Sequence, residues 1–129
     1  MLAVDTNILV RYVTRDHAEQ SPRARRLVDT EDSFVATTVL LETEWVLRSS
    51  YGFSRAEIAS ALRFFAGMPR VALESPAIAA QALDWLERGI DFADGLHLAA
   101  AADCDAFASF DRQLVNRAER VGAVRVRVP

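Results

Sequence analysis

Short apolar runs alternate with longer amphipathic stretches along the whole chain. Leu2-Ala3-Val4, Phe34-Val35-Ala36, Val71-Ala72-Leu73 and Ala106-Phe107-Ala108 read as short buried strands. Val124-Arg125-Val126-Arg127-Val128 alternates like an edge strand. Helical patterns fill the gaps. Ile8, Leu9, Tyr12 and Val13 recur at helical spacing, with Asn7 placed to cap them. Ser21-Pro22 opens a second helix to about Val28, with Arg23, Arg25 and Arg26 on its exposed side. Thr37 or Thr38 caps a third, running to about Ser50. Ser54-Arg55-Ala56-Glu57 is a capping box that starts a fourth, which Gly67 and Pro69 end after Phe65. Later helices run from about Pro76 to Arg88, from Asp91 to Asp103, and onward from Asp111. Helices separating short apolar strands are the pattern of an α/β domain with a largely parallel sheet.

Composition narrows the chemistry. The chain has 129 residues, 51% hydrophobic, without linker or repeat, so residues 1–129 are expected to form a single domain with its own core. All 15 basic residues are arginine. The absence of lysine excludes a G-x-x-x-x-G-K phosphate loop and Schiff-base chemistry. A lone Cys104 forbids an internal disulfide and suits a reducing compartment. With only His17 and His97 beside it, an ordinary structural zinc site is excluded. Glycines at 52, 67, 89, 95 and 122 never reach dinucleotide-binding spacing. Only Leu2-Ala3-Val4 precedes Asp5, with no basic stretch and no long apolar run, so a cytoplasmic protein without a secretory signal is expected.

The remaining tools are carboxylates, arginines and hydroxyls. Ligands of parallel α/β sheets bind beyond the carboxyl ends of the strands. Asp5 follows the first strand and Asp111 follows the strand at 106–108; the bland reading of each is a helix N-cap, weakened for Asp5 because Asn7 can cap instead. Glu42, with Val39, Trp45 and Val46 one turn away, is expected among apolar residues, where a carboxylate needs a partner or a metal. Glu44 pairs with Arg48 four residues on and reads as a solvated face residue. Asp91 is the natural cap of its helix, leaving Asp94 to project from the first turn. His97 reads as a rim or core histidine, and Ser109 can orient an acid near Asp111. Oxygen-only ligands favour hard cations such as Mg²⁺ or Mn²⁺, which commonly act on phosphate esters.

Four segments carry a family resemblance: Val4-Asp5-Thr6-Asn7, the helix Val39-Leu40-Leu41-Glu42-Thr43-Glu44-Trp45-Val46-Leu47, Asp91-Phe92-Ala93-Asp94-Gly95-Leu96-His97-Leu98-Ala99-Ala100, and Ser109-Phe110-Asp111-Arg112. In this order and spacing the chain resembles the PIN-domain ribonucleases, in particular the VapC-type toxins of toxin–antitoxin pairs. The resemblance implies a PIN-like three-layer domain, a mainly parallel five-stranded sheet flanked by helices. It implies a metal-dependent endoribonuclease in which Asp5, Glu42, Asp94 and Asp111 hold Mg²⁺ or Mn²⁺ and water attacks an RNA phosphodiester. Thr6, Asn7, Asp91 and Ser109 would support that pocket. Implied partners are RNA, a small cognate antitoxin and a second copy of the chain in a homodimer. Gly95 departs from the pattern, standing where alanine is more usual.

Charge bears on that expectation. Residues 1–111 hold 10 arginines and 17 acids, net −7, whereas residues 112–129 hold 5 arginines and 1 acid, net +4. Arg112, Arg117 and Arg120, with Arg125 and Arg127, are therefore candidates to meet RNA phosphates. Trp45, Phe53, Phe64 and Phe65 exceed what one small core must hide and suggest a dimer face. Two other readings compete. A phosphotransferase with Asp5 as nucleophile is disfavoured, because position 7 is asparagine and lysine is absent. A non-catalytic PIN-like module binding RNA or a partner is disfavoured by the presence of all four acids.

Overall fold

The structure, a computed structural model, describes residues 1–129. It is an α/β fold of five strands and seven helices, and all strand pairing is parallel. Hydrogen bonding divides the strands three and two. The chain forms two compact units, Met1–Pro76 and Ala77–Pro129. No helix is long and apolar enough to cross a membrane.

The first unit runs β1 (Leu2–Ala3), α1 (Thr6–Thr14), α2 (Gln20–Thr30), β2 (Ser33–Val35), α3 (Thr37–Ser49), α4 (Arg55–Ala66) and β3 (Val71–Leu73), with strand order β1-β2-β3. Leu2 pairs with Ser33 and Ala3 with Phe34, while Ser33, Phe34 and Val35 pair with Val71, Ala72 and Leu73. Parallel register brings the carboxyl ends of all three strands to one rim, from which α1 and α3 depart after one-residue connections or little more. The core gathers Leu9, Leu47, Ile58, Leu62 and Phe65, all fully buried. Tyr12 meets Phe65 edge-on at 5.2 Å. The Ser54–Glu57 capping box is present in full, as its sequence signature requires.

Three local expectations are corrected here. β1 is not buried: Leu2 and Ala3 are exposed, and the inward residue is Val4. Neither Thr37 nor Thr38 caps α3. Its N-cap is Ala36, and the Thr37 N–H is accepted instead by the Glu74 carboxylate just beyond β3, at 2.9 Å. Arg25 does not lie free on α2; its guanidinium stacks over the Tyr12 ring, 4.8 Å from the centroid.

The second unit runs α5 (Pro76–Glu87), α6 (Phe92–Ala100), β4 (Phe107–Ala108), α7 (Arg112–Val121) and β5 (Val126–Arg127). α6 ends earlier than the alanine run suggested, passing into turns before Asp103. Phe107 pairs with Val126 and Ala108 with Arg127. Trp85, Ile90, Leu98, Leu114, Ala118 and Val126 form the core cluster. Gly95 has a packing reason. A Cβ there would lie 3.3 Å from the Ala82 Cα, so its absence lets α6 approach α5 closely.

Candidate functional site

In the first unit the acids are organised by one residue, Thr6. The chain leaves β1 through Val4, and Asp5 adopts the extended conformation of an N-cap, its Oδ1 accepting the Thr6 N–H at 2.8 Å. Asp5, not Asn7, therefore caps α1; Asn7 is the second residue of that helix, and its side chain is exposed. Thr6 is buried, and its hydroxyl donates to Glu42 Oε1 on α3. One threonine thus holds two carboxylates through two different donors, which keeps Glu42 beside the start of α1.

α3 reverses the expectation for its two glutamates. The buried stripe of this helix is Leu40, Thr43, Glu44 and Leu47, spaced three and four apart. Glu42 lies off that stripe and is exposed, together with Trp45. Glu44 is the buried acid, 2% exposed, and its Oε2 accepts from Arg48 Nε at 2.9 Å. The predicted i,i+4 pair is real, but it neutralises an interior charge rather than decorating a solvated face. Glu74, which accepts the Thr37 N–H, was missed altogether. It directly follows β3, and that strand-end position was the available signal.

In the second unit Asp91, Asp94 and Asp111 share one electrostatic environment. Burial first, then the Asp91 charge, then that of Asp111, push the Asp94 carboxyl above its usual range, while His97 and Arg117 oppose the shift. Asp94 has no hydrogen bond or salt bridge of its own. Asp91 occupies the N-cap position of α6 but makes no side-chain cap. Asp111 is the N-cap of α7, its Oδ1 accepting from the Gln113 and Leu114 N–H groups at 3.0 and 3.3 Å. Ser109 does orient that turn, because its hydroxyl accepts the Asp111 N–H at 3.0 Å. His97 is exposed and stacks on Phe107 with the rings 6.2 Å apart. Arg112, Arg117 and Arg120 are exposed along α7.

In neither unit do three or more Asp, Glu, His or Cys side chains gather into a cage for a metal ion. Each unit instead offers oxygen donors alone: Asp5 and Glu42 in the first, Asp91, Asp94 and Asp111 in the second. That donor chemistry fits a hard divalent cation. His97 and Arg117 offset only part of the repulsion around Asp94, and its carboxyl stays above the usual range.

Of the aromatic residues expected on a dimer face, Phe65 is fully buried in the core, while Trp45 and Phe64 are 55% and 66% exposed. No curated protein matches the chain. The PIN domain family model matches residues 2–120. With nearly the whole sequence covered, the chain belongs to the PIN domain family, whose members are generally nucleases.

Proposed function

We propose that this protein is a metal-dependent endoribonuclease, the toxin of a VapBC-like toxin–antitoxin pair, in which residues 1–129 act as one PIN domain. Asp5, Glu42, Asp94 and Asp111 are the catalytic and metal-holding acids, with Thr6, Asn7, Asp91 and Ser109 in support. The observation that carries the reading is the environment of Asp94: half-buried, unpaired and beside two like charges, an arrangement that a protein keeps at a cost when a cation or proton transfer needs it.

PIN nucleases generally use divalent metals. Mg²⁺ or Mn²⁺, when bound by these carboxylates, would offset phosphate charge and make a nearby water more acidic. The chain's own groups do the rest. Thr6 fixes Glu42 through its hydroxyl and Asp5 through its N–H. Asp111 is held in one rotamer by two backbone N–H groups, and Ser109 fixes the turn before it. Asp94, half-buried beside Asp91 and Asp111, carries a charge that a bound cation would offset. Arg112, Arg117 and Arg120 meet the RNA backbone. A small antitoxin and a second copy of the chain complete the proposed assembly, in the cytoplasm.

The test is cleavage of a labelled RNA. Activity should vanish in EDTA and return with Mn²⁺ or Mg²⁺. Asp5→Asn, which keeps a capping oxygen, should abolish cleavage while leaving the melting temperature within a few degrees. Cleavage that survives both EDTA and Asp5→Asn refutes the mechanism. RNA binding without cleavage in any divalent metal would favour a binding module instead.

A further inference from the structure

α1 and α2 line a cleft of about 330 Å³ that includes Asn7, the residue after Thr6. Its polar lining is Asn7, Arg11, Gln20 and Arg23. Asn7 follows Thr6 directly and lies one helical turn before Arg11 on the same face of α1. Ile8, Ala24 and Leu27 give the cleft an apolar floor.

The two arginines differ in a useful way. Arg11 is held in place before any ligand arrives. Its Nε donates to Gln20 Oε1 at 2.9 Å, and its Nη1 donates to Asp16 at 3.2 Å and to the Tyr51 hydroxyl at 3.3 Å. Those bonds leave the Nη2 hydrogens without a protein acceptor. Asp16 is itself pinned by the Thr14 and Tyr51 hydroxyls, each at 2.7 Å. Arg23 is the less constrained of the two, 72% exposed, with a 3.5 Å contact to Glu19. A fixed fork and a reaching cation over an apolar floor, with two amide side chains at the edge, match a group that is anionic at one end and flat and hydrogen-bonding at the other.

We infer that this cleft is a nucleotide subsite for the RNA strand, taking the unit next to the cleaved phosphodiester. Arg11 and Arg23 hold its phosphate, the base lies over Ile8, Ala24 and Leu27, and Asn7 and Gln20 meet its polar edge. The inference rests on the ribonuclease reading above. Nothing in it depends on the antitoxin or on the C-terminal arginines.

Fluorescence anisotropy of a labelled single-stranded RNA, titrated with the full chain carrying Asp94→Asn in EDTA at several salt concentrations, isolates binding from cleavage. Arg23→Glu should weaken binding about tenfold and lower the slope of log Kd against log salt by about 0.7, the value for one lost phosphate contact on a single strand. Gln20→Ala, which releases Arg11 Nε, should weaken binding about threefold. Arg26→Glu makes the same charge change on the same helix outside the cleft, and should cost less than about twofold. Equal losses from Arg23→Glu and Arg26→Glu would overturn the subsite in favour of diffuse attraction. An oligoglutamate peptide that binds as tightly as RNA and is equally sensitive to Arg23→Glu would make the cleft a protein-docking surface and overturn it too. Against the otherwise unmodified chain, RNA cleavage with KM unmoved by Arg23→Glu sinks the subsite and leaves the nuclease standing. Failure of that chain to bind or cleave RNA at all removes the nuclease reading and the subsite with it.

Discussion

Thr6→Val is the most discriminating substitution, because it keeps the shape of a buried β-branched side chain and removes one hydroxyl. Thr6 is 5% exposed, so valine fits the site, and the Thr6 N–H that meets Asp5 is untouched. What is lost is the hydroxyl bond to Glu42. Hydrogen bonds to charged groups contribute about 1.5–3 kcal/mol when both partners stay dry. Glu42 is exposed and regains water when released, which places the stability cost lower, at about 0.5–1.5 kcal/mol. For a domain of this size that is a fall in melting temperature of about 2–8 °C. The catalytic cost should be larger. A carboxylate freed to sample other rotamers loses the geometry that catalysis depends on, and displacement by about 1 Å can cost 100-fold. We expect kcat for RNA cleavage to fall about 10- to 100-fold, with a smaller change in KM. Thr6→Ser restores the donor and should recover most of the rate. Steady-state cleavage of a fluorogenic RNA, paired with thermal denaturation, reads both effects. If Thr6→Val cleaves within twofold of the parent, or Thr6→Ser is as impaired as Thr6→Val, then the hydroxyl does not position Glu42 for catalysis.

Other substitutions separate structural from chemical roles. Asp111→Asn retains a cap acceptor for the Gln113 and Leu114 N–H groups, so its stability should stay within about 0.5 kcal/mol of the parent while cleavage is lost; Asp111→Ala should lose cleavage and about 1 kcal/mol as well. Asp94→Asn should raise the melting temperature in EDTA at neutral pH. With the folded pKa above the ordinary 3.8, the native state binds more protons than the unfolded chain between those two values, so ionisation of Asp94 costs stability as pH rises through that window. The gain from asparagine should shrink as pH is lowered toward 3.8, and a gain that grows on acidification would contradict the sign. Arg48→Met keeps the apolar stem but strips the cation from buried Glu44. Because Arg48 is 47% exposed, the cost should fall between surface and buried pairs, at about 2 kcal/mol by urea denaturation, and Glu44→Met in the same chain should return most of it.

The strands and helices were legible because their signals are local. Apolar runs of three residues marked the first four strands within a residue or two, the Val–Arg alternation marked the fifth, and the Ser54–Glu57 box needed no tertiary context. The phase of α3 was not legible. Val39, Leu40, Leu41, Trp45, Val46 and Leu47 place apolar groups all round the helix, so periodicity alone fails to decide which side faces in. Only packing chose Leu40, Thr43, Glu44 and Leu47, and that choice buried the acid assigned to solvent and exposed the acid assigned to the interior. Burial was therefore the wrong argument for Glu42. The metal-holding role proposed for Glu42 requires access, and its exposed position near the start of α1 provides that better than the interior would.

The caps at Asp5 and Asp111 sharpen the same distinction. A helix N-terminus needs an acceptor oxygen, and asparagine or serine supplies one as well as aspartate does. Capping therefore accounts for one oxygen at each position. The full negative charge adds a modest gain from the helix dipole, typically under about 1 kcal/mol on an exposed surface. At Asp111 that charge also works against Asp94, since it adds to burial and the Asp91 charge in pushing the Asp94 carboxyl above its usual range. A sequence selected for stability alone would relieve that repulsion with asparagine at no loss of capping. Capping and the proposed chemical role are thus not rivals. The cap fixes one oxygen of each carboxylate and leaves the other oxygen and the charge free for the role proposed above.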